Sequence, residues 1–277
     1  MPVTRLIPNP RSLITGAVRQ VTDGLVAALL APACAVCNAV LEQPTQGCVC
    51  RNCWRSIRAM TPPICDRCGD PLAKQDQSPI LNPQSLDVHS QSLCAQCRKG
   101  GSSVDRARAV GAYEGVLREI IHALKYERRQ SLARPLAALM QSRGAALLEQ
   151  ADCVVPVPLH WRREYQRGFN QAREIARRLG PPVTDVLVRR RATRAQVELA
   201  ADRRRMNVDG AFGLRKGWFP RLSVRGRRIA LVDDVSTTGA TLEACARVLK
   251  DGGASEVYAL TAARVATRPR HGEFQSL

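Results

Sequence analysis

The chain has 277 residues and eleven cysteines, and nine of the cysteines lie between positions 34 and 97. Eight of these form four Cys-x-x-Cys pairs: Cys34/Cys37, Cys50/Cys53, Cys65/Cys68 and Cys94/Cys97. A two-residue gap on a tight turn lets both thiolates reach one zinc ion at about 2.3 Å, and a second such turn completes a tetrahedron. Asn38 and Gly69 follow the second cysteine of their pairs, where a left-handed backbone is readily adopted. A disulfide scaffold would need an oxidising compartment, and a redox site would use one pair at a helix start rather than four in a loop-rich stretch. The spacing predicts two structural zinc ions, most simply held by neighbouring pairs. One set is Cys34, Cys37, Cys50 and Cys53, and the other is Cys65, Cys68, Cys94 and Cys97. Interleaved pairs would satisfy the same spacing, as would Cys48 in place of Cys50 or His89 in place of a cysteine. A closed four-thiolate site keeps no open position, so these ions hold structure rather than carry out chemistry.

The second chemical constellation lies at residues 228–245. Ile229, Ala230, Leu231 and Val232 form a short apolar run of the kind buried in a parallel sheet. Asp233, Asp234, Val235, Ser236, Thr237, Thr238, Gly239, Ala240 and Thr241 follow, and then Leu242, Ala246 and Leu249 recur with helical spacing. The order is strand, hydroxyl-and-glycine loop, helix. Such a helix start presents unpaired N–H groups and partial positive charge to a phosphate. Gly239 lets the backbone come close, and Ser236, Thr237, Thr238 and Thr241 add hydroxyl donors. Carboxylates at the carboxyl end of the strand stand where ligands bind in open α/β sheets. There they can accept hydrogen bonds from ribose hydroxyls and help position Mg²⁺. A capped helix needs only one Asp or Thr. It does not require two acids, four hydroxyl residues and a glycine within nine positions. Neither the Gly-Lys-Ser/Thr of a nucleotide phosphate loop nor Gly-x-Gly-x-x-Gly occurs at this place.

Charge points the same way. The formal net charge is +18. Residues 155–228 hold 18 arginines and one lysine against six acids, a surplus of 13. A basic face of that size attracts polyanions such as pyrophosphate, phosphosugars or nucleic acid. Aromatic residues make up only 4% of the chain, which argues against a wide base-stacking platform.

The loop VDDVSTTGAT at residues 232–241 resembles the phosphoribosyl-pyrophosphate motif of type I phosphoribosyltransferases. Further blocks agree in order with the ComF (competence protein F) family: AYEGVLREIIHALKY at 112–126, VPVPLHWRREYQRGFNQ at 155–171 and NVDGAF at 207–212. The four cysteine pairs resemble the double zinc ribbon at the front of that family, so the likeness spans about residues 32–266. It implies that Val157, Pro158, Leu159 and His160 form a pyrophosphate-binding loop, with Arg162, Arg163 and Arg167 neutralising the leaving group. It also implies that Asp233 and Asp234 are catalytic and that residues 235–241 hold the 5′-phosphate of phosphoribosyl pyrophosphate with Mg²⁺. Thr193, Gln196, Leu199, Arg204, Arg205 and Asn207 fit the family's substrate-covering loop. This chain lacks prolines at 194 and 195 and carries Glu198 where glycine is usual. The implied setting is natural transformation, with single-stranded DNA, a DNA-uptake helicase or other competence proteins as partners. The implied activity is phosphoribosyl transfer to an unidentified acceptor. A non-catalytic phosphoribose sensor that binds DNA is the alternative.

Positioning these residues requires an α/β domain with a mainly parallel sheet flanked by helices, preceded by a small double zinc ribbon. The expected organisation is a tail and amphipathic helix over 1–31, the ribbons over 32–100, the phosphoribosyltransferase-like domain over 104–268, and a tail over 269–277. Residues 152–158 read as a second buried strand, closed by Pro156 and Pro158. Leu117, Ile120, Ile121 and Leu124 share one helical face, with His122 and Lys125 off it, and the family likeness makes Lys125 and Tyr126 site candidates. Cys153 and Cys245 read as buried thiols. The apolar run at residues 24–36 contains a proline and falls short of the ~20 residues a membrane-crossing helix needs. A cytoplasmic protein without a membrane span is expected.

Overall fold

The structure, a computed structural model, describes residues 10–72, 92–191, 210–215, 224–265 and 274–276. His89 and the loop residues Thr193, Gln196, Glu198, Leu199, Arg204, Arg205 and Asn207 fall outside the described residues. The chain divides into two compact units, Met1–Ser56 and Ile57–Leu277, and the boundary falls between the two cysteine clusters.

The first unit carries helix α1 (Pro10–Leu30) and the short α2 (Arg51–Arg55). Val18, Val21, Leu25 and Leu29 lie exposed on α1, whereas Asp23 is buried and accepts a 2.9 Å hydrogen bond from the Thr45 amide. Among the described residues no helix is long and apolar enough to cross a membrane.

The second unit is built on one mixed sheet. Its strands are β1 (Arg58–Met60), β2 (Arg106–Ala112), β3 (Cys153–Pro156), β6 (Arg228–Ser236), β7 (Glu256–Arg264) and β8 (Phe274–Ser276). They stand in the order β3-β6-β7-β2-β1-β8. The first four run parallel, and β1 pairs antiparallel with both β2 and β8. A separate antiparallel pair joins β4 (Leu187–Arg189) to β5 (Phe212–Leu214).

Ile229, Ala230, Leu231 and Val232 are completely buried, as a central strand covered on both faces requires. Successive strand residues point to opposite faces. Ile229 and Leu231 therefore join the core cluster that holds Leu242, Cys245, Ala246 and Leu249 of helix α8 (Ala240–Asp251). On the other face lie α5 (Ala133–Gln150) and α7 (Gln171–Ala176). There a Cβ added to Gly144 of α5 would stand 2.5 Å from Leu260 of β7. Helix α4 (Gly115–Tyr126) buries Leu117, Ile120, Ile121 and Leu124, the face its spacing predicts, and delivers Lys125 at its last turn. Cys153 and Cys245 are both buried, as expected. α/β layering with a mainly parallel sheet is thus the architecture of the second unit.

Candidate functional site

The first knuckle of each cysteine cluster is a local fold, and the two knuckles repeat with an offset of 31 residues. In the first, the Cys34 amide donates to Ala39 O (2.8 Å), Asn38 N to Cys34 O (3.0 Å) and Leu41 N to Pro32 O (2.8 Å). In the second, Cys65 N donates to Asp70 O (2.7 Å), Gly69 N to Cys65 O (2.9 Å) and Leu72 N to Pro63 O (3.0 Å). Asn38 and Gly69 carry φ values of 58° and 73°, the left-handed backbone expected after the second cysteine. Cys50 and Cys94 are the N-caps of α2 and of α3 (Ala95–Arg98), and their amides donate to Cys34 Sγ and Cys65 Sγ, each at 3.3 Å.

Each cluster gathers four thiols, Cys34, Cys37, Cys50 and Cys53 or Cys65, Cys68, Cys94 and Cys97, with all sulfurs of a set within 4.8 Å of one another. Neighbour-by-neighbour pairing is therefore the arrangement present, and Cys48 stands outside both sets. The sulfur separations of 3.9 Å (Cys34–Cys53), 3.7 Å (Cys37–Cys50) and 3.7 Å (Cys68–Cys94) match the edge of about 3.8 Å of a zinc tetrahedron with 2.3 Å bonds.

Within each set the thiols oppose one another's ionisation. Burial disfavours the Cys34 thiolate, yet amide donors from Cys37, Cys50 and Val36 bring its pKa down to about 6. The hydrogen bond from Cys68 brings Cys65 to about 4. Burial with contacts to Cys37 and Cys50 raises Cys53, the bond to Cys65 with burial raises Cys68, and burial with the charge on Cys65 pushes Cys97 to about 12. A dication is what lets all four thiolates of a set ionise together. The donors fit structural zinc.

The third centre lies at the carboxyl ends of the parallel strands. Pro156 of β3 stands in register with Val232 of β6, so the loops after both strands leave the sheet side by side. A hollow there is lined by Asp233, Val235, Ser236, Thr237, Gly239, Ala240 and Thr241, together with Leu242. Gly239 caps α8 with φ 77° and offers no side-chain acceptor to the first turn. Thr238 Oγ1 accepts from the Ala240 amide at 3.4 Å, which turns it toward the helix start. The acid of that first turn, Glu243, is engaged elsewhere, by Ser102 Oγ and the Ser103 amide at 2.8 Å each. An anion at this helix start therefore meets a glycine N-cap that brings no acceptor of its own, and no competing carboxylate from the turn.

The two aspartates part company. Strand alternation sends Asp233 toward the α8 face and Asp234 toward the α4 face. Asp233 Oδ1 accepts from the Asp234 amide at 2.9 Å. Burial and the Asp234 carboxylate raise the Asp233 pKa to about 7, against the pull of Lys125. Asp234 Oδ1 pairs with Lys125 Nζ at 2.9 Å, the two side chains being 5% and 15% exposed, and its Oδ2 is buried with no hydrogen-bond partner among the described residues. Burial disfavours the Lys125 ammonium, but Asp234 outweighs it, with Asp233 behind, and holds that pKa above the usual range. Lys125, a site candidate by its likeness to the family pattern, is thus brought to this centre.

The residues after β3 are placed as follows. The Val157 amide donates to Val232 O (2.8 Å), and Val157 O accepts from Asn170 Nδ2 (3.1 Å). His160 is buried and caps α6 (Trp161–Arg167), its Nδ1 accepting from the Arg162 amide. Arg163 lies close enough to Arg189 for its charge, after burial, to lower the Arg189 pKa. The Arg162 and Arg167 guanidiniums each lie 5.2 Å from a ring centre, Trp161 and Tyr126 respectively, and Arg167 Nη1 also donates to Gln171 Oε1 at 3.0 Å. The Arg-Gly-Phe-Asn-Gln string has a structural use: Gly168 (φ 80°) ends α6, Phe169 enters the core, and Asn170 Oδ1 caps α7.

Parallel strands, a hydroxyl-rich loop feeding a glycine-capped helix and two thiolate clusters define a phosphoribosyltransferase-type domain carrying zinc ribbons. Comparison with known proteins agrees. Residues 165–274 match the phosphoribosyl transferase domain and residues 25–98 the double zinc ribbon domain. Competence protein F of Haemophilus influenzae is 30% identical over 243 residues, covering 83% of this chain and 96% of that protein. DNA utilization protein YhgH of Escherichia coli K12 is 32% identical over 219 residues, covering 76% and 87%. Competence protein ComFC of Bacillus subtilis is 27% identical over 224 residues, covering 78% and 84%. The chain belongs to the ComF family. Among solved structures, a purine phosphoribosyltransferase from Pyrococcus horikoshii covers 50% of this chain and 78% of its own, with 17% identity and a TM-score of 0.30. That overlap is small, and the fold assignment rests on the sheet order and the family matches instead.

Proposed function

We propose that this chain binds phosphoribosyl pyrophosphate with Mg²⁺ in the hollow after β6 and acts on single-stranded DNA during DNA uptake. The carrying observation is the convergence, at the carboxyl ends of the parallel strands, of a glycine-capped helix start, the 236–241 hydroxyl loop and the Asp233 carboxyl. The 5′-phosphate would meet the amides of the loop and of the α8 start. Asp233 faces the hollow and would take the ribose hydroxyls. Asp233 and Asp234 together supply the hard oxygen donors Mg²⁺ prefers, and the ion would offset the charge of the pyrophosphate. Residues 157–160 with Arg163 would receive the pyrophosphate end, because a departing anion needs preorganised positive charge. In a transfer reaction the bond from C1 of the ribose to pyrophosphate breaks while C1 joins an acceptor nucleophile.

The DNA part of the reading rests on the names of relatives and on exposed aromatic side chains of α4 and α6. Tyr165, Trp161 and Tyr126 are 87%, 66% and 62% exposed, and the guanidiniums of Arg162 and Arg167 lie against two of the rings. Exposed rings between arginines offer stacking and phosphate contacts to an unpaired strand.

Titration calorimetry with phosphoribosyl pyrophosphate and Mg²⁺ tests the ligand. Binding to the natural protein and a loss of at least about tenfold in Asp233→Asn are expected. Equal affinity in the two overturns the site. Pyrophosphate release measured across free bases and oligodeoxynucleotides separates transfer from sensing.

A further inference from the structure

The two knuckles share the same backbone hydrogen bonds, but the residue that accepts the first cysteine's amide is not the same in both. Ala39 accepts the Cys34 amide in the first, and Asp70 accepts the Cys65 amide in the second. The Asp70 side chain leaves its knuckle and takes Arg264 in a two-point ion pair, through Nε to Oδ1 and through Nη2 to Oδ2 at 3.0 Å. The two side chains are only 12% and 13% exposed. A bidentate pair at such low exposure fixes the guanidinium plane. Arg264 is the last residue of β7 and stands in register with Ser236, the last residue of β6. Its remaining terminal nitrogen, Nη1, donates to Ser236 Oγ at 3.5 Å, and the Val265 amide donates to Ser236 O at 2.8 Å.

The knuckle is itself fastened to the sheet. The Ala107 amide of β2 donates to Arg67 O, and Arg108 Nη1 to Asp66 O at 3.0 Å. Gly69, with φ 73°, sits so close that a Cβ would stand 2.6 Å from Ala107 O. Arg67 Nη1 reaches across the second cluster to Cys97 O at 3.2 Å.

These contacts form one chain from the second thiolate set to the phosphate loop. We propose that Arg264 is a positioning residue for that loop, that Asp70 aims it, and that the second zinc ribbon thereby belongs to the scaffold of the ligand site. The mechanism is hydroxyl polarity. Ser236 is buried, and a hydroxyl that accepts from a guanidinium has its own proton left to give. Arg264 thus sets Ser236 as a donor at the place where the loop turns toward α8. The inference rests on the phosphoribose reading only for the identity of what that proton is given to.

The test uses the full chain and three variants: Asp70→Asn, which keeps the shape but loses one arm of the pair, Arg264→Lys, which keeps the charge but not the fork, and Cys37→Ser in the first cluster. Zinc content, amide hydrogen exchange and ribose 5-phosphate affinity are measured on each. In Asp70→Asn and Arg264→Lys, zinc is expected to match the natural protein, exchange over residues 236–241 to rise about tenfold, and exchange over residues 229–232 to stay unchanged. Ribose 5-phosphate should bind about tenfold more weakly. Cys37→Ser should leave the loop as it was. Unchanged loop exchange in both variants overturns the proposal, and so does an equal rise along all of β6, which marks general loosening. The same loop effect from Cys37→Ser overturns the assignment to the second ribbon. If ribose 5-phosphate fails to bind even the natural protein while the loop still responds, the positioning role stands and the phosphoribose reading falls.

Discussion

At pH 7 the Asp233 carboxyl stands about half ionised, because burial and the neighbouring Asp234 carboxylate push its pKa to about 7 while Lys125 pulls the other way. A ribose diol or a Mg²⁺ ion needs the ionised form. Binding of Mg²⁺-phosphoribosyl pyrophosphate at pH 7 should therefore release roughly half a proton, and affinity should fall about tenfold between pH 8 and pH 6. The sign follows from the direction of the shift. The folded pKa lies above the ordinary carboxylate value, so Asp233 favours the free folded state most in acid, and that contribution is lost as pH rises toward 7. The ligand draws on the opposite, ionised form, so affinity grows over the same interval. Calorimetry in two buffers of different ionisation enthalpy counts the proton. The phosphates titrate too, near pH 6, so the quantity to read is the difference from Asp233→Asn, in which only the ligand's own titration remains. If the natural protein and the variant give the same proton count and the same slope, Asp233 does not bind the ligand as a carboxylate.

Lys125→Met leaves the Asp234 carboxylate buried without its partner and should cost about 3–5 kcal/mol in urea unfolding, whereas a loss below about 1 kcal/mol would mean that water already reaches the pair. Metal analysis should find about two zinc ions per chain and about one in Cys37→Ser, since each four-thiolate set closes on its own ion. Gly239→Val should lose about 1–2 kcal/mol through its left-handed backbone alone, because no atom lies within 4 Å of the added Cβ, and Gly239→Asn should recover most of that in the same unfolding assay. Trp161→Ala with Tyr165→Ala should weaken oligothymidylate binding by at least tenfold, about 1–3 kcal/mol per stacked base, and leave ribose 5-phosphate affinity unchanged in fluorescence titration.

What the sequence made legible was local. The first knuckle of each cysteine cluster closes through backbone bonds within a ten-residue stretch, and β6, its loop and α8 are consecutive, so spacing alone carried both constellations. The opposite facing of Asp233 and Asp234 was available from strand alternation, but a motif read as a string treats the two carboxylates as one acidic pair. The exposure of Trp161, Tyr165 and Tyr126 was hidden by an average, since a 4% aromatic content says nothing about which rings face outward.

The remaining features are non-local. No pattern in α4 shows that Lys125 will meet Asp234, because the pairing depends on how the helix lies against a strand more than a hundred residues further on. Asp70 and Arg264 are 194 positions apart and carry no signal in either neighbourhood. The one trace of that link is comparative. When the two knuckles are aligned at their 31-residue offset, an acid stands at position 70 where the first knuckle has Ala39. A zinc knuckle needs only a backbone carbonyl at that position, and alanine meets the need in the first copy. The carboxylate of the second copy is therefore surplus to metal binding, and a buried carboxylate is costly unless a partner offsets it. The partner present is Arg264, and behind Arg264 is the hydroxyl at the turn of the phosphate loop.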